Sequence, residues 1–216
     1  MNAIRSLHCF LLLGLSGLTF AADWVVTEGG LSPDKRLSVC VFPQKTEFVD
    51  EADGTVLLVN NKTGKPIGPL EEADSTGGTW GKTTTNAFCS WSEDSSLLVV
   101  NFRTGRLMHS FQVYKVTALR AIPLKVPDIR SHPKAKILDV LGYNANPGET
   151  AHVTKDGHIV VVRYGFMPKE GHWDEDYSKF GLKGFDALGG SLRFIYSFNA
   201  QGKLQLDAVT LDRDEK

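Results

Sequence analysis

The chain has 216 residues, 24 Lys and Arg against 25 Asp and Glu, and 42% hydrophobic residues, a balance that excludes disorder, collagen and coiled coil. A formal net charge of -1 leaves no excess of cations for nucleic-acid phosphates or an anionic membrane surface. The composition therefore describes one folded domain or two small ones, with no nucleic-acid partner expected.

The first 21 residues differ from the rest. Arg5 and His8 precede an apolar run over 9–20, followed by the small residues Ala21 and Ala22. This order reads as a secretory signal peptide cleaved near Ala21. The run is shorter than the roughly 20 residues of a spanning helix, and no later stretch is apolar enough, so no membrane span is expected in the mature chain. Export to a secreted or periplasmic location follows as an expectation. Cleavage removes Cys9 and leaves Cys40 and Cys89. In an oxidising compartment these form either one disulfide or two small buried thiols.

Beyond residue 22, apolar stretches are short and bounded by Gly, Pro, Asp and Asn, which favours strands. The clearest span 37–42, 55–59, 97–102, 107–116, 159–166, 192–198 and 204–211. The runs 97–100 and 159–162 are continuously apolar, as in strands covered on both faces. Leu192, Phe194, Tyr196 and Phe198 alternate with more polar residues, as in a strand with one wet face. Residues 71–85 read as a polar surface loop. Within 118–148 a helix is predicted over 131–141, with Ser131 as cap, Pro133 in the first turn and Gly142 as terminator.

A pattern recurs along the chain: apolar residue, hydroxyl, any residue, Asp, two turn residues, strand. It occurs at Leu31-Ser32-Pro33-Asp34, Trp91-Ser92-Glu93-Asp94 and Val153-Thr154-Lys155-Asp156, so the aspartates lie 60 and 62 residues apart. A hydroxyl two residues before an Asp suits a tight turn, because both side chains bond nearby backbone N–H groups. Gly64, Gly105 and Gly202 mark hairpin tips downstream of each turn. Insertions at 43–54 and 167–190 interrupt the first and third units.

The Ser-x-Asp turn opening a strand, followed by a Thr-Gly-Lys hairpin, resembles the blade repeats of WD40-like and TolB-type β-propellers. The resemblance implies blades but transfers no functional residue, and three units fall below the four to eight blades of a closed ring. The expected fold is mainly β: a partial propeller or propeller-derived antiparallel β-sandwich of three degenerate repeats with one short helix inserted. The units are expected over about 24–70, 87–117 and 151–211, with the helical insertion at 118–148.

Chemistry-bearing patterns are sparse. Gly81-Lys82-Thr83 has the end of a phosphate loop, but Thr76 stands where the pattern needs Gly. Asn61-Lys62-Thr63 is a glycosylation sequon, relevant only in a eukaryotic secretory route. There is no Gly-x-Ser-x-Gly elbow after the leader. His109 shares a strand face with Phe111 and Val113 and reads as core, His132 lies at the helix start, and His152 and His158 flank the third turn. The long insertion 167–190 carries His172, Trp173, Asp174, Asp176 and Tyr177, an aromatic and charged mixture suited to a contact surface. No metal or other cofactor is expected there, since adjacent residues on an extended chain point to opposite sides. The function expected is binding of a protein or small molecule. The competing readings are a small extracytoplasmic hydrolase with a site in the 167–190 loop, and an envelope structural protein associating through sheet edges.

Overall fold

The computed structural model describes residues 24–41, 56–73, 87–103, 109–127, 132–188 and 190–212. The expected signal peptide, the phosphate-loop fragment, Ser131, Gly105 and most of the 71–85 loop lie outside them.

Three antiparallel meanders of four strands follow one another. The first holds β1 (Val25–Leu31), β2 (Leu37–Val41), β3 (Val56–Asn60) and β4 (Lys65–Pro69). The second holds β5 (Ala87–Trp91), β6 (Leu97–Arg103), β7 (His109–Val116) and β8 (Ala121–Leu124), and the third holds β9 (Leu141–Val153), β10 (Ile159–Pro168), β11 (Leu192–Phe198) and β12 (Leu204–Leu211). A parallel contact between Glu28 of β1 and Phe88 of β5 joins the first two into one eight-stranded sheet. The third meander is a separate sheet.

The three turns expected from the repeat join the first and second strands of each meander, and their bonds are homologous. Ser32 Oγ donates to Asp34 Oδ1 (2.8 Å) and accepts from Leu37 N–H (3.0 Å), while the same carboxylate oxygen accepts from Arg36 N–H (3.0 Å). Ser92 Oγ donates to Asp94 (2.6 Å) and accepts from Leu97 N–H (2.8 Å), and Asp94 accepts from Ser96 N–H (3.0 Å). Thr154 Oγ1 donates to Asp156 (2.5 Å) and accepts from His158 N–H (3.0 Å), one residue earlier than in the other two turns. The residue after each Asp takes a positive φ: Lys35 at 60°, Ser95 at 61° and Gly157 at 82°.

Packing explains the two strand types. On β6, Leu98, Val100 and Phe102 face the first meander and pack with Val39, Val41, Val56 and Leu58. Val99, between them, joins Phe111 and Val113 in a second core with Ala151, Ile159, Val161, Phe194 and Tyr196 of the third meander. The continuous run of β6 is thus buried on both faces, between the first meander and the third. On β11 only Leu192, Phe194 and Tyr196 are buried, while Arg193 and Ile195 lie half-buried on the opposite face.

Several boundaries move. β8 and the first part of β9 fall inside the 118–148 span expected to be a helical insertion, so the second unit runs on to Leu124. The helix is a 3₁₀ element, Pro133–Asp139, capped by His132 and interrupted at Ala135, whose φ of -108° is non-helical. Gly64 and Gly202 lie between the third and fourth strands of their meanders. Asn61 is buried and its Nδ2 donates to Lys35 O at 2.9 Å, so the sequon amide is occupied within the fold. No helix among the described residues is long and apolar enough to cross a membrane.

Candidate functional site

The connection between β10 and β11 is long but tightly organised. Lys169, just after β10, donates to the carbonyls of Leu138 (2.7 Å) and Asp139 (3.0 Å), closing the C-terminal end of the 3₁₀ element. A second 3₁₀ turn, Tyr177–Phe180, starts at Asp176, whose carboxylate accepts from Ser178 N–H (2.9 Å) and Ser178 Oγ (2.8 Å), and ends on Gly181 in the left-handed region. Those bonds lower the Asp176 pKa, the hydroxyl of Ser178 contributing most. The Tyr177 ring stands edge-on to Phe185 (5.3 Å between centroids, 85°), and Phe185 in turn meets buried Phe166 (6.3 Å, 71°). An aromatic ladder therefore roots the loop in the core.

The five residues singled out by sequence separate into two groups. Asp176 and Tyr177 are structural: one caps a turn, the other packs inward. Burial, then the carboxylates of Glu175 and Asp186, push the Tyr177 phenol upward. His172, Trp173 and Asp174 lie on the outer side of the loop. Trp173 is 58% exposed, and with Gly171, Asp174 and Glu175 it lines a shallow depression. His172 Nδ1 lies 2.7 Å from Glu175 Oε2, and Lys179 Nζ bonds the other oxygen of the same carboxylate. Those two contacts, Lys179 first, hold the Glu175 pKa down. Lys179 is the site residue that sequence reasoning passed over, and Glu175 stood out there only as one acid of the 172–176 run. An acid flanked by bases three and four residues away, across a 3₁₀ turn, is the signal that was available.

A second polar group bridges the second and third meanders. Glu149 forms an ion pair with Arg163 (Nε to Oε2, 3.0 Å) and accepts from Ser110 Oγ (3.5 Å), and His109 Nδ1 lies 3.3 Å from the Tyr164 hydroxyl. His109 is half-buried at the margin of the core that Phe111 and Val113 fill. The Tyr164 ring lies flat against Gly148, where a Cβ would sit 2.1 Å from it. These contacts hold two sheets together.

Cys40 and Cys89 are free thiols on β2 and β5, with β1 between them. Two strand spacings, roughly 9–10 Å, exceed the reach of a disulfide. Burial pushes Cys40 to about 11 and Cys89 to about 12, so neither supplies thiolate at neutral pH. Among the described residues no group of three His, Cys, Asp or Glu side chains converges as a metal site would.

The fold defines a propeller-like β protein of three four-stranded units. No protein-family model matches the chain, and no curated protein does. Among solved structures, TolB from Acinetobacter baumannii is similar at 9% identity with a TM-score of 0.33, over 87% of this chain and 43% of that one. A structure from a study of two prolyl endopeptidases is similar at 12% identity with a TM-score of 0.35, over 90% of this chain and 40% of that one. The chain spans less than half the length of either.

Proposed function

We propose that the protein is an exported, non-catalytic binding protein whose contact surface is the outer side of the 169–188 loop, centred on Trp173 and Asp174 with His172 beside them. The observation that carries this reading is the exposed Trp173 on a segment that is otherwise fixed at both ends. An indole held in solvent by a rigid loop offers contact area at little further cost in conformational entropy. The reading of an edge-associating structural protein has less behind it. Edge strand β4 carries Pro66 and Pro69 and edge strand β8 carries Pro123, and proline removes the N–H groups that strand pairing needs.

The test is site-specific crosslinking in the native extracytoplasmic compartment, with a photoreactive residue at position 173 and a control at Lys203 on the β11–β12 hairpin tip. A discrete partner captured from 173, absent from 203 and lost on Asp174→Ala, supports the proposal. Equal capture from both positions, or none from 173, overturns it.

A further inference from the structure

The core between the second and third meanders is apolar and hence non-directional, since burial alone does not distinguish one seating of the sheets from another shifted by a residue. Besides the Ser110–Glu149 and His109–Tyr164 contacts, two polar side chains cross it to meet the backbone of β9. Asn101 on β6 is 0% exposed, and its carboxamide lies alongside Ala151 of β9. Its Oδ1 accepts from Ala151 N–H at 2.6 Å and its Nδ2 donates to Ala151 O at 2.9 Å. Those are the two bonds that a residue of a neighbouring strand would exchange. Two residues further on, Ser90 Oγ of β5 accepts from Val153 N–H at 3.0 Å.

β9 is the edge of its four-stranded sheet, so alternate residues turn their N–H and C=O groups away from β10. Ala151 and Val153 are two such residues, and Asn101 and Ser90 satisfy them where no strand does. A slip by one residue would bring Thr150 or His152 opposite Asn101, with backbone groups facing β10 instead, leaving the Oδ1 of a fully buried amide without the Ala151 N–H and its Nδ2 with only the 3.5 Å bond to Phe88 O. We propose that Asn101 is a docking latch: its carboxamide acts as a one-residue strand and sets the register at which the third meander seats on the second. By setting β9 and β10, it also sets where the 169–188 loop stands relative to the rest of the molecule.

Amide hydrogen exchange and NMR of the full chain test this. In the unaltered protein the Ala151 amide is expected to exchange only with global unfolding, although it belongs to an edge strand; exchange as fast as at the free edge of β12 overturns the proposal. In Asn101→Leu, which keeps an apolar seam, Ala151 exchange is expected to rise by about 10-fold or more. Duplicate resonances are expected in β9–β12, with β2 and β3 unchanged. A single set of resonances with Ala151 still protected overturns the proposal. Should that variant not fold, the measurement on the unaltered chain decides alone.

Discussion

The second and third meanders have the same four-stranded plan and differ in what covers them. β6 of the second lies between the first and third meanders, so Leu98 and its neighbour Val99 are both buried, one in each core. β11 of the third has a sheet on one side only, so Phe194 is buried and its neighbour Ile195 is half-buried. The same strand geometry therefore yields two sequence textures, continuous and alternating; on β6 the continuous texture follows cover on both faces, while β10, in the same sheet as β11, is also continuously apolar over 159–162, so texture alone does not count a sheet's neighbours.

The largest effects should come from the buried three of those four positions. Leu98→Ala is expected to cost about 3 kcal/mol and Phe194→Ala about 4 kcal/mol, since each empties fully enclosed volume. Val99→Ala should cost about 2 kcal/mol, and Ile195→Ala about 1 kcal/mol or less, because the latter's partner is largely water. Urea unfolding measures all four. Neighbours on β6 should cost comparable amounts and neighbours on β11 unequal ones; an Ile195→Ala cost equal to that of Phe194→Ala would break the comparison.

The turns sharpen it at a smaller scale. Ser32 and Ser92 are buried, and each bonds both an aspartate and a strand N–H, so truncating either leaves a buried donor unsatisfied. Ser92→Ala is expected to cost about 2 kcal/mol, and Thr154→Ala, at the wetter third turn, about 1 kcal/mol, because water replaces the lost partner there. Thermal unfolding of the two single variants checks the order.

Acid should act through the same turns. The backbone N–H of Arg36, chief among several bonds, lowers the Asp34 pKa to about 2, and the hydroxyls of Ser92 and Thr154 lower those of Asp94 and Asp156. Folded values below the unfolded one mean stability that is fully present above about pH 4 and is lost as pH falls through the folded values. Melting temperature followed from pH 5 to 2 should fall for the unaltered chain and fall less for Asp34→Asn. An unchanged slope would mean that other carboxylates dominate.

These elements also mark how far the sequence could be read. The turns were legible because the hydroxyl and aspartate bonds that recur in all three run between residues at most five apart, so the residue types that make them stand together in the chain. Strands β4 and β8 were not, because Pro66, Pro69 and Pro123 read as breakers, and only a place at a sheet edge makes them tolerable. β9 was hidden by Pro147 and Gly148, and Gly148 is there to admit the Tyr164 ring, a contact with a residue on the next strand. The 167–190 insertion was visible as a place for a site. Its division into outward Trp173 and inward Tyr177 was not, since the latter depends on Phe185 arriving from across the loop.

The smallest effects concern the residue after each aspartate. All three turns need a positive φ there, but the third alone supplies Gly, at 82°, while the first uses Lys35 at 60°. Nothing lies within 4 Å of a Cβ built on Gly157, so Gly157→Ala adds no clash and reports backbone strain alone, about 1 kcal/mol of destabilisation. Lys35→Gly relieves the same strain but frees the unfolded chain, and the two nearly cancel, leaving a gain of at most about 0.5 kcal/mol. Denaturant midpoints on the two variants should therefore move in opposite directions and by unequal amounts. Equal losses from both would mean that Lys35 holds its turn through its side chain, and that the three turns are alike in hydrogen bonding but not in what fixes their backbone.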